Sequence, residues 1–103
     1  VCGREIHPAA VAQARMNVAD VLCEWDYPRE RARALAECIV NCGDFLTEGP
    51  SDARWDVVIG NPPYLRITNV PQPLREEYEH VVPDYAQADL LHSFLDRSAR
   101  VLR

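Results

Sequence analysis

The feature that most constrains the fold is the run WDVVIG, residues 55–60, which is β-branched and, apart from its aspartate, apolar. A strand that faces solvent on one side alternates apolar and polar residues, whereas a strand buried on both faces is a continuous apolar run. This run therefore predicts a strand inside a parallel sheet whose two faces are covered by helices. Asn61 and two prolines follow directly and end the strand.

Helix-like and strand-like segments alternate along the 103 residues. Pro8 suits a first helical position, and apolar residues then recur at helical spacing to residue 24. Further helices are predicted over residues 29–37, 73–79 and 89–102, further strands over residues 1–6 and 37–42, and a turn over residues 47–54. Strands that alternate with helices form right-handed crossovers and a mostly parallel sheet, so the predicted class is α/β.

Charge and cysteine content narrow the function classes. The net charge of −5 argues against a chain that grips nucleic acid by itself, because phosphate contact needs clustered cations. No apolar run approaches the roughly 18 residues that span a bilayer, and a cytoplasmic location is expected. Cys2, Cys23, Cys38 and Cys42 are interpreted as reduced core thiols, and no metal is expected because their spacing does not fit a zinc knuckle.

Each predicted strand ends at a polar residue, namely Glu5, Asp44 and Asn61. Ligands of open α/β sheets bind at the carboxyl ends of the strands, so these side chains are expected on one rim. Glu5 can accept hydrogen bonds from the two ribose hydroxyls of a nucleoside, and Asp44 can accept one from an exocyclic amine. The alternatives are a surface acid near a helix N-terminus for Glu5 and a turn residue that closes the strand for Asp44.

Asn61-Pro62-Pro63-Tyr64 is the most informative motif in the chain. Each proline restricts the residue before it to extended geometry, so the backbone here is stiff. The Asn61 amide and the Pro62 carbonyl supply two neighbouring acceptors, which suit an amino group with two hydrogens to donate. Tyr64 adds a flat face on which a planar base can stack. The alternative is a proline-rich exit from the strand with an incidental aromatic residue.

VVIGNPPYLR resembles motif IV of the amino-group methyltransferases that use S-adenosyl-L-methionine. GREIHPAAVAQAR is similar to the second motif of that family, NCGDFL to the third, and ADLLHSFLDRSARVLR to the helix that follows motif IV. The resemblance covers nearly the whole chain. Glu5 and NPPYLR favour the DNA adenine-N6 methyltransferases of restriction-modification systems. The alternatives are a protein-glutamine or RNA amino-group methyltransferase and a catalytically inactive remnant.

The resemblance implies a fold and a set of cofactor contacts. Residues 1–103 would form part of a Rossmann-like catalytic domain, the region of motifs II to V, without its first strand and its late strands. Glu5 would hold the ribose of S-adenosyl-L-methionine and Asp44 the amine of its adenine. Ile6 and Phe45 would flank the adenine ring.

The same resemblance implies the chemistry of the proline motif. The target adenine would be flipped out of double-stranded DNA, with its N6 amine hydrogen-bonded to Asn61 and to the Pro62 carbonyl. Tyr64 would stack on the flipped base, next to Pro63. Most of the DNA contact would come from regions outside this chain.

A missing strand between those that carry Glu5 and Asn61 would have two consequences. Two apolar strand edges would be exposed, which predicts a homodimer or a strand-swapped oligomer. Residues 1–103 alone would bind the cofactor weakly and would not catalyse methyl transfer.

Overall fold

The computed structural model describes residues 1–48, 55–83 and 89–103, in two compact units, Val1–Phe45 and Leu46–Arg103. The described helices are α1 (Pro8–Glu24), α2 (Arg29–Ile39), α3 (Phe45–Glu48), α4 (Gln72–Val81) and α5 (Leu90–Val101), with a 3-10 helix at Ile67–Asn69. Strands β1 (Gly3–Glu5) and β2 (Val40–Cys42) form a parallel two-stranded sheet. Most of the turn expected over residues 47–54 lies outside the described residues.

In the first unit, β1 and β2 are joined by the two helices between them, which is the α/β arrangement that the alternating pattern predicts. Their register pairs Gly3 with Val40 and Glu5 with Cys42. The pairing continues one step further, because the Gly43 N–H donates to the Glu5 carbonyl at 3.0 Å. The carboxyl ends of both strands therefore lie at one edge of the sheet.

Helices α1 and α2 pack through alanines. Ala19, Ala32 and Ala36 form a buried cluster, against which Leu22 and other partly buried side chains pack. Such small side chains let two helix backbones approach closely, and packing here is sensitive to any added volume. Helix α1 begins at Pro8 and ends at Glu24, as the sequence predicts.

The turn between α1 and α2 closes the C-terminus of α1. Asp26 takes a left-handed φ of 63°, and its N–H donates to the Cys23 carbonyl at 3.1 Å. The Tyr27 N–H donates to the Leu22 carbonyl at 3.1 Å. These two bonds make a Schellman motif and satisfy carbonyls that the helix itself leaves open.

Strand β2 is shorter than residues 37–42, over which the sequence predicts it. Helix α2 continues to Ile39, and the Val40 N–H still donates to the Ala36 carbonyl. The residues before it are strong helix formers, so the helix propagates to the point where β1 supplies a strand partner. The Arg15 Nε then donates to the Val40 carbonyl at 3.0 Å and ties α1 to β2.

The second unit has its own core, built from the 3-10 helix, α4 and α5. Its buried residues are Leu46, Ile67, Val70, Tyr78, Val82, Leu90, Ser93 and Val101. Helices α4 and α5 lie within two residues of their predicted bounds. Among the described residues, no helix combines the length and the apolar character needed to cross a bilayer.

The prediction of a third strand over residues 55–60 is wrong. Trp55 makes a single parallel bridge to Leu102, and the chain then leaves the ladder. Val57 is 68% exposed and Ile59 is 91% exposed. A strand forms when its backbone groups are hydrogen-bonded to a neighbouring strand. Beyond Trp55, no described segment pairs with this run. The apolar composition fits a doubly buried strand, but composition alone does not supply the covering layers.

Candidate functional site

Glu5 stands at the end of β1, where the chain turns into α1. Its Oε1 accepts the His7 backbone N–H at 2.8 Å, while its own carbonyl accepts the Gly43 N–H. The side chain is half-buried, and Ile6 beside it is exposed. One carboxylate oxygen is therefore oriented by the start of α1, which leaves the second oxygen to accept a hydrogen bond from a ligand.

Asp44 follows β2 directly after Gly43. Gly43 has a φ of 152°, a conformation that residues with a side chain rarely adopt. The strand therefore turns at this glycine before it reaches the acid. Asp44 is only 9% exposed, and Phe45 after it is half-buried. The parallel register brings Glu5 and Asp44 to the same edge of the sheet, as the sequence predicts for these two acids.

The proline motif lies on the surface. Asn61 and Pro63 are exposed, Pro62 is half-buried and Tyr64 is 83% exposed. A tyrosine is a large side chain that normally buries much of its ring. Here its face is open to a planar ligand.

The segment that carries the motif is held at both ends by the same helix. At one end the Trp55 N–H donates to the Val101 carbonyl at 2.8 Å, and the Arg103 N–H donates to the Trp55 carbonyl at 3.0 Å. At the other end the Leu90 N–H donates to the Leu65 carbonyl at 3.1 Å. The two ends of the segment are therefore bonded at opposite ends of α5.

The segment between these two anchors is longer than the helix that separates them. Helix α5 has 12 residues and is about 18 Å long. The stretch from Trp55 to Leu65, fully extended, would reach about 33 Å. The excess length accounts for an exposed loop whose two ends are nevertheless fixed.

The expectation that Asn61 shares one rim with Glu5 and Asp44 stays a prediction. So do the individual roles assigned to these residues. What the structure brings together is the pair of acids in the first unit. In the second unit, it exposes the contiguous motif from Asn61 to Tyr64.

The cysteines differ in part from their expected state. All four are free thiols, but Cys2, Cys38 and Cys42 are exposed, and Cys23 is half-buried. The prediction of core thiols is therefore wrong for three of them. Cys38 falls within the strand predicted over residues 37–42, but it lies in α2. Within residues 1–48, 55–83 and 89–103, no group of three or more His, Cys, Asp or Glu could hold a metal ion.

Three contributions lie outside the residues that the sequence predicts for the site. The His7 N–H orients Glu5, and the Leu90 N–H fixes the end of the loop, and both act through the backbone. Residue type carries no signal for such contacts. The third is Arg66, an exposed residue that follows the loop and stands in NPPYLR without an assigned role.

Residues 6–103 match the Eco57I restriction-modification methylase family. The chain belongs to this family. The match to the Eco57I restriction-modification methylases contains Asp44 and the whole proline motif, and it begins one residue after Glu5. It therefore spans both units of the chain.

Curated relatives carry the same kind of name. The chain is 40% identical to the Type II methyltransferase M.PaeR7I of Pseudomonas aeruginosa over 99 residues, which are 95% of this chain and 17% of that protein. It is 31% identical to the Type II methyltransferase M.XhoI of Xanthomonas vasicola over 99 residues, 95% of this chain and 18% of that protein. The chain thus spans less than a fifth of the length of these two relatives. No solved structure matches it.

Proposed function

We propose that this chain is part of the catalytic domain of a DNA adenine-N6 methyltransferase of a restriction-modification system. The domain would have a Rossmann-like fold and would act on double-stranded DNA in the cytoplasm. The family assignment over residues 6–103 and two relatives named as Type II methyltransferases support the proposal. The parallel pair of β1 and β2, joined by helices, is compatible with such a domain.

The observation that carries the proposal is the exposed motif from Asn61 to Tyr64 on a loop fixed at both ends. A catalytic loop must present its polar groups to a substrate and yet hold them in place. Pro62 and Pro63 restrict the backbone locally. The hydrogen bonds to α5 restrict it at the ends. The motif is therefore both accessible and positioned.

The chemistry of an exocyclic amine fits these groups. The adenine N6 lone pair is delocalised into the ring, so the nitrogen is a poor nucleophile. The Asn61 side-chain oxygen and the Pro62 carbonyl would accept its two hydrogens, which favours a more tetrahedral nitrogen and frees the lone pair. Tyr64 would stack on the base after it has left the duplex. Pro63 would keep Pro62 in the extended geometry that aims its carbonyl.

The first unit fits the nucleoside part of the proposed cofactor. Glu5 has one carboxylate oxygen oriented by the His7 N–H, and its other oxygen can accept ribose hydroxyls. Ile6, 59% exposed, offers an apolar face for a purine beside it. Asp44 is largely buried and would present only a small part of its carboxylate to an adenine amine, with Phe45 next to it. When bound, S-adenosyl-L-methionine supplies a methyl group activated on a sulfonium sulfur.

The test is methyl transfer by the full-length protein from radiolabelled S-adenosyl-L-methionine to unmethylated duplex DNA. We expect label in N6-methyladenine after nucleoside digestion. In Asn61→Ala the rate should fall by about two to three orders of magnitude, the usual loss for one preorganised polar group. Asn17→Ala is the matched control, because Asn17 is an exposed asparagine on α1 whose side-chain oxygen accepts a hydrogen bond from Gln13.

Three results would contradict the proposal. Label in a protein or RNA acceptor, but not in DNA, would move the chain to the other amino-group methyltransferases. Label in cytosine would keep the DNA substrate and exclude adenine as the target. A folded protein that transfers no label to any acceptor would indicate a remnant without catalysis.

A further inference from the structure

Arg66 stands two residues after Tyr64, and its backbone is fixed on both sides. The Leu65 carbonyl before it accepts the Leu90 N–H at 3.1 Å. Its own carbonyl accepts the Asn69 N–H at 2.9 Å, which closes the 3-10 helix. Ile67 after it is buried. The position from which the Arg66 side chain projects is therefore well determined.

The Arg66 side chain itself is exposed. Within the described residues, Arg29, Arg100 and Arg103 are among the arginines that form ion pairs, whereas Arg66 forms none. It is also the single cation of the sequence between residues 55 and 74. In a chain with a net charge of −5, a positive charge beside an exposed, anchored motif has no evident structural task here.

Among the described residues, no acid forms an ion pair with Arg66. Asp56, at the other end of the loop, forms an ion pair with Arg103 at 3.5 Å. Asp89 is next to Leu90, whose N–H donates to the Leu65 carbonyl. Asp89 and Arg66 are therefore the neighbours of two residues that are hydrogen-bonded to each other. Asp89 is exposed, and no ion pair of 4.0 Å or less joins it to Arg66. Within the described residues the Arg66 guanidinium has no anionic partner, so its donors can bind an external anion.

We propose that Arg66 binds a backbone phosphate of the nucleotide whose base stacks on Tyr64. This inference rests on the proposed function. Two residues of extended chain span at most about 7 Å, and the phosphate of a nucleotide lies one sugar away from its base. The planar fork of arginine matches the oxygens of a phosphate and can bind them bidentately. Arg66 is therefore a positioning residue that holds the flipped nucleotide by its backbone while the proline motif holds the amine.

The test uses the full-length protein and two short duplexes. One duplex carries the sequence that the methyl-transfer experiment shows to be modified, and the other is an unrelated sequence of equal length. Binding of each is measured by fluorescence anisotropy between 50 and roughly 300 mM salt, a range in which each phosphate contact adds about 0.9 to the slope of log affinity against log salt. The variants are Arg66→Gln, Arg66→Ala and Arg66→Lys.

On the modified sequence, both neutral variants should bind roughly tenfold more weakly at low salt, and their salt slope should fall by about one. Arg66→Lys should retain the slope, since it keeps the charge. On the unrelated duplex no variant should change the slope, because no base is flipped onto Tyr64 there. Arg33→Ala is the matched control, an exposed arginine of α2 that should leave both slopes unchanged.

An unchanged slope on the modified sequence, with circular dichroism showing a folded protein, would overturn the inference. An equal reduction of the salt slope on both duplexes would also overturn it. Arg66 would then attract DNA of any sequence and would not bind the phosphate of the flipped nucleotide in particular. Either result leaves the proposed function intact if the wild type still forms N6-methyladenine. Failure of methyl transfer by the wild type would instead remove the proposed function itself.

Discussion

Tyr64 shows how much a single exposed residue can carry. It is 83% exposed, although burial of an aromatic ring is energetically favourable. A ligand that stacks on the ring would bury it and so bind more tightly. The next residue, Leu65, is anchored through its carbonyl to the Leu90 N–H. The Tyr64 ring itself is mostly uncovered. A stacking role fits this exposure better than a core role.

The stacking role leads to a contrast between two substitutions. Tyr64→Phe keeps the ring and should retain methyl transfer within about threefold, whereas Tyr64→Ala should lower the efficiency of transfer to DNA by about one to two orders of magnitude, because stacking of one base contributes about 1–3 kcal/mol. Steady-state kinetics on duplex DNA would measure both.

Trp25→Ala provides the comparison, since Trp25 is another exposed aromatic, 72% exposed, at the C-terminal end of α1. It should leave the kinetics unchanged. If Tyr64→Phe loses as much as Tyr64→Ala, the hydroxyl and not the ring is the functional group.

At the residue scale, the sequence predicts backbone geometry where neighbouring residues in the chain determine it. The paired prolines predict an extended backbone at Asn61 and Pro62, because restriction of the preceding residue needs no knowledge of distant contacts, and Asn61 is exposed in the structure. The burial of Asp44 was not foreseeable, since burial depends on what packs over a residue. Cys38 was misplaced for a related reason, because a helix extended further than its pattern indicated.

At the scale of secondary-structure elements, the packing of α1 against α2 depends on small side chains at particular positions. Ala32 has no exposed surface, and Ala36 has 1%. Their neighbours leave no room for a longer side chain, because protein interiors are packed to crystal-like density. The identity of these alanines is therefore set by the closeness of the two helices.

Ala32→Leu should lower the free energy of unfolding by about 1–3 kcal/mol through overpacking. Ala34→Leu, on the exposed face of the same helix, should change it by less than about 0.5 kcal/mol, because both residues are good helix formers. Urea unfolding followed by circular dichroism would compare the two. Equal effects at the two positions would show that the helices do not pack through Ala32.

Helices were more predictable than strands for a physical reason. The hydrogen bonds of a helix join residues four apart, so its pattern is written within the segment itself. The bounds of α1 and α5 follow from such patterns to within one residue. The hydrogen bonds of a strand join distant segments, and residues 57–60, with a strong strand composition, have no partner here. In α5, Leu95 is exposed while Ser93 is buried, so residue hydrophobicity alone does not identify its buried face.

For the whole molecule, the exposed apolar run is the largest departure from ordinary surface chemistry. Val57 and Ile59 point out of a segment whose backbone beyond Trp55 is outside the described sheet. Unpaired backbone groups beside apolar side chains favour pairing with another chain. The expected homodimer or strand-swapped oligomer thus stays a prediction, with a specific surface to test.

Residues 1–103 expressed alone should self-associate at high concentration, and Ile59→Lys should reduce the association, because a charge on an edge opposes pairing. Multi-angle light scattering over a concentration series would measure the mass. Met16→Lys is the control, because Met16 is also exposed, 60%, but its backbone is bonded within α1. A wild-type monomer at every concentration would exclude this surface as a self-association site.

The attachment of one loop to both ends of α5 has a consequence for changes in chain length. The length of α5 sets the distance between the two anchors of the loop. A change in the length of the helix therefore also changes the distance between the two ends of the loop. Removing one turn from α5 would bring the anchors closer by about 5 Å and would move the presented groups, even though no residue of the motif had changed. An inserted residue within 57–60 would instead leave both anchors and the helix between them unchanged. Homologous chains should therefore tolerate length changes in the loop far better than in the helix beside it.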